Sequence, residues 1–319
     1  MNILSMIHKQ AMLSPMRIIF PEYDDLRIRR AVMKLAKLGL ARPLVIMPRE
    51  SVLPKTLRAR IDVITMDPDA KRRYSDLLLR RRAHAGMTRK QADQKIKDPL
   101  WFGMMALADN QADALISSAR YTTAQTMQAA LRVIGARDKG QKVSSAFLMV
   151  AKKKPFIFAD PSVQIDPNAK DLAHIAVASA QLASSLGLKP KVAMLSFSTH
   201  GSAAHPLVDK VVEATRVAKS IDPNLLIDGE VQLDAAIVPG VSKKKCPKSP
   251  LKGRANVLIF PDINAGNIGY KLVERFAGAR AIGPIILNLE KQVNVLSRGC
   301  SVQDIVDLAA FTSVQVRGR

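Results

Sequence analysis

Two short runs, VAMLSFS at 192–198 and NVLIF at 256–260, are continuously apolar rather than apolar at alternate positions. A strand with one face in water alternates, whereas a strand covered on both faces does not, and that coverage is the condition of a mostly parallel sheet. The start of the chain follows the same grammar. RIIF at 17–20 reads as a strand ended by Pro21, Asp25 to Leu38 has helical spacing and stops at Gly39, and PLVIM at 43–47 and DVITM at 62–66 supply further strands. FLMV at 147–150 and FIFA at 156–159 read as a strand pair. After Asp166-Pro167-Asn168 a long helix is expected to Leu186, ending at Gly187, and Pro206 to Ser220 is helical in pattern. Residues 68–108 carry helix formers and no clear strand, with Trp101, Phe102, Met104 and Met105 expected in the core. The class expected is α/β, with mostly parallel sheets and helices on both faces.

Composition narrows the function. The chain has 319 residues, 48% of them hydrophobic, enough for two domains or one large one and incompatible with a disordered chain. Lys and Arg number 49 against 27 Asp and Glu, a formal charge of +22 that attracts polyanions at low salt. The basic residues are spread along the chain, and four Tyr and one Trp leave little for base stacking, so an anionic small-molecule substrate is favoured over nucleic acid. Cys246 and Cys300 lie far apart, with no CxxC spacing and no clustered histidines, so neither a disulfide framework nor a metal site is indicated. The N-terminal apolar run is too short for a secretory leader and no stretch of about 18 apolar residues suggests a membrane span. A reduced, cytoplasmic protein is expected.

The densest cluster of chemically useful groups is VNVLSRGCSVQDIVDLAAFT at 293–312. Ser297 brings a hydroxyl, Arg298 a fixed positive charge and Asp304 a carboxylate, with Gly299 allowing a sharp turn between them. Ser301 has the position of an N-cap, and Val302, Ile305, Val306 and Ala309 form an apolar stripe that puts Asp304 in the first turn of a helix. Ser-x-x-Asp in that place is a capping-box pattern that needs no catalysis to explain it. A second ligand-loop candidate is STHGSAAHP at 198–206, where hydroxyls and small residues follow a buried strand. Ser198, Thr199, Gly201 and Ser202 are its candidate substrate-binding residues, and His200 and His205 read as ordinary loop residues. KKKCPKSPLKGR at 243–254 reads as a mobile basic loop. Glu22, Asp24 and Asp25 suit a helix N-terminus.

LSRGCSVQDIV resembles the C-terminal signature of the phosphotransacetylases, which exchange an acetyl group between acetyl phosphate and coenzyme A. AMLSFST-G-SA-HP, LLIDGE-Q-DAA at 225–236 and ANVLIFPD-NAGNIGYKLV at 255–273 resemble the same family in the same order, as do PEYDDLRIRRA and KDPLWFGMMAL. The resemblance spans about residues 17–316. It implies that Ser297 is the catalytic serine, Arg298 a phosphate-binding arginine and Asp304 the general base. It also implies that Arg82, in an R-x-H-x-G-M-T-like context, helps to bind the substrate's anionic groups. ISSARYTTAQTMQAAL at 116–131 departs from the pattern, with Ser118, Tyr121, Gln125, Gln128 and Ala129 standing where the family has Gly, His, Asp, Arg and Pro. The missing arginine normally contacts the phosphate side of the substrate, and a neutral amide cannot supply guanidinium's paired, charge-assisted contact. Arg132, four residues on and on the same helix face, and Arg120 are the candidates to compensate.

The resemblance further implies two α/β domains similar to the isocitrate dehydrogenase-like fold, residues 1–139 with 288–319 and residues 140–287. It implies an active site in the interdomain cleft and a homodimer formed through the middle domain. Coenzyme A is then a co-substrate, acetyl phosphate the other substrate, and no metal is expected. Phosphate butyryltransferase-like acyl transfer is the nearest variant, a non-catalytic acyl-CoA-sensing protein of the same fold is a second reading, and a polyanion-binding protein a third.

Overall fold

Ile18, Ile19 and Phe20 are all fully buried, as a strand with helices on both sides requires. They belong to β1 (Arg17–Phe20), one strand of the first of two units in the computed structural model, which describes residues 3–47 and 60–317. This unit joins Met1–Asp138 to Leu289–Arg319. In chain order it runs α1 (Ile3–Leu13), β1, α2 (Leu26–Leu38), β2 (Arg42–Met47), β3 (Asp62–Thr65), α3 (Pro68–Arg82), α4 (Arg89–Ile96), α5 (Pro99–Ala108), β4 (Ala114–Ser117) and α6 (Thr123–Val133). After the second unit it resumes with β11 (Gln292–Val295) and α12 (Val302–Arg317). The strand order is β11-β4-β1-β2-β3, and every neighbouring pair is parallel.

The local signals explain the elements. In α2 the Asp25 carboxylate caps the helix by accepting the Arg27 amide at 2.8 Å, Gly39 closes it at φ 65°, and Ile28, Ala31, Val32 and Leu35 form the buried stripe. Trp101, Phe102, Met104 and Met105 of α5 are buried, as expected of a nearly all-apolar helix. The C-terminal helix belongs to this sheet because β11 pairs in register with β4, and Asn294 on β11 donates to Thr312 and Gln315 at 2.8 and 3.0 Å. His8 of α1 meets Asp307 on the same helix at 2.9 Å.

The second unit, Lys139–Asn288, runs β5 (Ser144–Ala151), β6 (Lys154–Ala159), α7 (Ala169–Ser185), β7 (Val192–Leu195), α8 (Pro206–Ile221), β8 (Ile227–Val231), α9 (Leu233–Ile237), α10 (Pro239–Lys245), β9 (Val257–Ile259), α11 (Ile263–Ala277) and β10 (Arg280–Leu287). Its sheet has the order β10-β5-β6-β9-β7-β8. The β6-β9-β7-β8 part is parallel; β5 is antiparallel to β6, to which it is joined by a two-residue turn that cannot connect parallel strands, and β10 is antiparallel to β5. Lys152 and Lys153 form that turn with φ of 46° and 67°, the left-handed pair of a type I′ hairpin, yet neither is Asn nor Gly. Replacing them with Asn-Gly is expected to raise stability by about 1–2 kcal/mol, read as a higher urea midpoint at unchanged slope.

The segment at 243–254 differs from the mobile loop expected. Lys243, Lys244 and Lys245 end α10, Cys246 and Leu251 are buried in the unit's core, and Ser249 donates to the buried Asp228 at 2.5 Å. Gly253, at φ 66°, lies so close to Val238 and Pro239 that a Cβ would meet their backbone at 2.5–2.6 Å. The lysines gave the segment its polar appearance, while its apolar and small residues anchor it.

Candidate active site

Open α/β sheets bind ligands beyond the carboxyl ends of their strands, where the strand order reverses. In the first unit that position lies between β1 and β4, with β11 beside β4. Three loops leave the sheet here: residues 21–25 after β1, residues 118–122 after β4, and residues 296–301 after β11.

The third loop carries Ser297, Arg298 and Asp304. Ser297 and Arg298 are exposed, and the turn is closed by the Cys300 amide donating to the Ser297 carbonyl at 2.9 Å. Gly299 makes this turn without a left-handed φ. The Arg298 guanidinium has no hydrogen bond or ion pair with any described residue. Asp304 lies in the first turn of α12, and its Oδ2 accepts the Ser301 amide at 2.9 Å and hydroxyl at 2.8 Å, while its own amide donates to Ser301 Oγ at 3.2 Å. The capping geometry read from the spacing is therefore present, and it holds a half-buried carboxylate in a fixed place. Cys300 is buried, and burial pushes its thiol up to about 11. It is protonated at neutral pH and is no candidate for an acyl carrier, which would need the thiolate.

Two residues organise these loops, and spacing alone marked neither. Arg27 Nη1 donates to the carbonyls of Arg298 at 2.6 Å and Cys300 at 3.3 Å, and Nη2 donates to the carbonyl of Ala119 at 2.8 Å and to Asp25 Oδ2 at 2.8 Å. Its Nε reaches Asp25 Oδ1 at 3.1 Å, and this pairing holds the Asp25 carboxyl below the usual carboxylate range. One planar fork thus ties all three loops together. Glu22 is buried and is not at the helix N-terminus expected for it. Its Oε1 accepts the amides of Arg120 at 2.5 Å and Tyr121 at 3.0 Å, and its Oε2 accepts the Ala119 amide at 3.2 Å and the Ser117 hydroxyl at 2.9 Å. Asp25 does cap α2, and Asp24 pairs with Arg120 on the surface. Arg27→Lys keeps the charge but not the fork, and is expected to lower turnover by about 10²-fold through displaced loops, with the Michaelis constants changing less. Initial-rate kinetics on both substrates give the comparison.

Arg82 ends α3 and lines a cavity of about 620 Å³ with Lys90, Lys95 and Arg132 among its other walls, and no lining residue is acidic. Its Nε is buried without a hydrogen-bond partner. Arg132, on α6, faces this cavity, whereas Gln128 is exposed but does not line it and Arg120 is engaged by Asp24. Of the two candidates for replacing the missing arginine, only Arg132 lies beside Arg82. Gln125, another departure, completes a capping box with Thr122, which keeps the start of α6 intact.

The remaining predicted residues belong to the second unit. Ser198 and Thr199 are buried and hold their own loop: Ser198 Oγ donates to Glu230 at 3.0 Å, and Thr199 Oγ1 accepts the Gln232 amide at 2.9 Å. The Gly201 amide also donates to Glu230, at 2.7 Å, and Ser202 Oγ accepts the Thr199 amide at 3.0 Å. Gly201 and Ser202 are exposed. Glu230 thus shapes this loop as Glu22 shapes the loop after β4. His200 contacts Asp228 at 3.1 Å.

Among the described residues no group of three or more His, Cys, Asp or Glu is gathered as metal ligands, and no helix is long and apolar enough to cross a membrane. Parallel strands ending in amide-rich loops, an exposed unpaired arginine and a cation-lined cavity define an α/β protein built to handle small anions. Residues 2–313 match the family described as phosphate acetyl/butaryl transferase. The chain is 42% identical over 329 residues to a phosphate acetyltransferase of Thermoanaerobacterium thermosaccharolyticum, covering 99% of this chain and 100% of the relative. It is 39% identical to a phosphate acetyltransferase of Bacillus subtilis, covering 98% and 99%. A crystal structure of a phosphotransacetylase from Streptococcus pyogenes superposes with a TM-score of 0.92 at 37% identity, covering 99% of this chain and 98% of that one. The chain belongs to the phosphate acetyl/butaryl transferase family.

Proposed function

We propose that this chain is a cytoplasmic acyltransferase that moves an acetyl group reversibly between acetyl phosphate and coenzyme A. The observation that carries the reading is the full-length likeness to phosphate acetyltransferases together with the retained Ser297, Arg298 and Asp304. Acyl transfer to a thiol needs a thiolate, a donor for the developing oxyanion and neutralisation of the departing phosphate. Asp304 takes the thiol proton, Ser297 donates a hydrogen bond to the reacting oxygen or sulfur, and Arg298 holds the phosphate. A guanidinium unpaired among the described residues supports that last role, because no carboxylate among them competes with the substrate. Arg82 and its cationic cavity bind the anionic groups of the substrates, with Arg132 standing in for the arginine replaced by Gln128. In the second unit, the exposed Gly201 and Ser202 are the candidates of their loop for substrate contact.

Purified protein given acetyl phosphate and coenzyme A is expected to consume the free thiol and release inorganic phosphate in equal amounts. Absence of turnover with acetyl, propionyl and butyryl phosphate, in protein that still binds coenzyme A, would replace this reading with an acyl-CoA-sensing one, which the Gln128 departure motivates.

The protein works as a homodimer through its second unit. On α11, Tyr270 and Val273 pack inward while Ile268, Leu272 and Phe276, at successive turns, are 56%, 50% and 88% exposed. Such a stripe suits a second copy of the same helix face. Phe276→Glu is expected to convert the dimer to a monomer by light scattering, and a wild-type protein that is monomeric at micromolar concentration removes the proposal.

A further inference from the structure

The cation-lined cavity of the first unit contains a nucleophile that the proposed reaction does not use. Lys95, near the end of α4, is one of the residues lining this cavity, where Arg82, Lys90 and Arg132 are the other cations. The amine lies 4.0 Å from the ring centre of the buried Trp101 and makes no hydrogen bond or ion pair with a described residue. Burial first, and then the charge of Arg132, hold the Lys95 ammonium below the usual lysine range, while Asp98 acts in the opposite direction. The indole face also favours the charged form, so the neutral amine is a minor but renewable population.

We propose that Lys95 is an acetylation site, modified by acetyl phosphate that docks its phosphate on the surrounding cations of this cavity. The inference rests on acetyl phosphate being a substrate of this chain. The neutral Nζ attacks the acetyl carbonyl carbon, a C–N bond forms, and the C–O bond to the phosphate breaks with its electron pair leaving on the phosphate. The proton released from Nζ goes to the departing phosphate. The products are an ε-acetyl amide and inorganic phosphate, with no change of oxidation state. Acetylation removes one positive charge from the cavity, so accumulated acetyl phosphate weakens the binding of phosphate-bearing ligands there.

Lys291 provides an internal comparison. Burial also holds its ammonium below the usual range, but its amine donates to the Leu107 carbonyl at 2.8 Å and to Asn110, and Asp113 and Glu290 line its small cavity. Arg17 also lines this cavity but is paired with Asp113 at 3.3 Å, and the two carboxylates repel a phosphate, so Lys291 has the suppressed charge without unpaired docking cations.

The test is a time course of full-length protein with acetyl phosphate and no coenzyme A, with acetyl-lysine quantified at each site by peptide mass spectrometry. Lys95 is expected to react at least about tenfold faster than Lys291 and the exposed Lys219 of α8, which lies outside the cavity, a small part of what docking can supply. Excess inorganic phosphate should slow Lys95 selectively, and Arg132→Ala, on the exposed face of its helix, should bring it to the rate of the other lysines without altering theirs. An equal concentration of acetyl-CoA should acetylate it more slowly. A Lys95 rate no greater than that of Lys219, indifference to phosphate and to Arg132→Ala, or faster acetylation by acetyl-CoA would each overturn the proposal. The same preparation is assayed for thiol consumption: turnover without Lys95 acetylation sinks this inference alone, and Lys95 acetylation without turnover sinks the transfer reaction alone.

Discussion

Changing Asp304 to Asn is expected to reduce turnover by about 10²–10⁴-fold, the range over which a positioned general base contributes, while the protein melts close to the unmodified temperature. The two effects separate because they rest on different properties of one side chain. Oδ2 accepts both the amide and the hydroxyl of Ser301, and an Asn carbonyl oxygen accepts the same pair, so the cap survives. Only the small interaction of a charge with the helix end is lost, about 0.3–1 kcal/mol. The amide cannot take a proton from a thiol. Thermal unfolding and initial rates on one preparation distinguish the roles: near-normal turnover reduces Asp304 to a cap, and a large loss of stability means that the carboxylate's charge is structural.

Glu22→Gln should destabilise the protein by roughly 1–3 kcal/mol although it changes a single atom type. The carboxylate is buried and accepts two donors on each oxygen, three backbone amides and one hydroxyl in all. Turned toward Arg120 and Tyr121, a glutamine NH₂ leaves both amides without an acceptor; turned the other way it faces the Ala119 amide and the Ser117 hydroxyl, which can rotate to accept from it, so that only the Ala119 amide is stranded, at about 1–3 kcal/mol for each stranded group. The loss falls on residues 117–121, so the amides of Ala119, Arg120 and Tyr121 should exchange with solvent sooner than those of the neighbouring strands. Chemical denaturation followed by hydrogen exchange measures both. A variant within about 1 kcal/mol of the unmodified protein would mean that the loop keeps its shape by other contacts, among them the Tyr121 hydroxyl donating to Asp98 at 2.5 Å.

The helices and strands were legible where the signal is local. The cap at Asp25, the stop at Gly39, the helix beginning after Asn168 and the strand pair of β5 and β6 each depend on residues within a turn or two of one another. The Ser301–Asp304 exchange was legible for the same reason, since three residues on a helix bring the two side chains together wherever the helix lies. The family motifs likewise singled out Ser297, Arg298 and Asp304 in one contiguous segment. The basic run at 243–254 was misread because its composition is that of a loop, whereas its buried side chains are held by contacts with distant parts of the sheet.

By itself the sequence determined the α/β class, the local caps and the contiguous cluster at 297–304, because each follows from periodicity or from neighbours along the chain. Only the tertiary structure decided that Arg27 and Glu22 organise the site. Arg27 meets partners 92, 271 and 273 positions away, and Glu22 meets donors 95–99 positions away. Those meetings follow from the order β11-β4-β1, which sets three loops side by side. Strand order is set by how the helices pack over the sheet, and no spacing within a single segment encodes it.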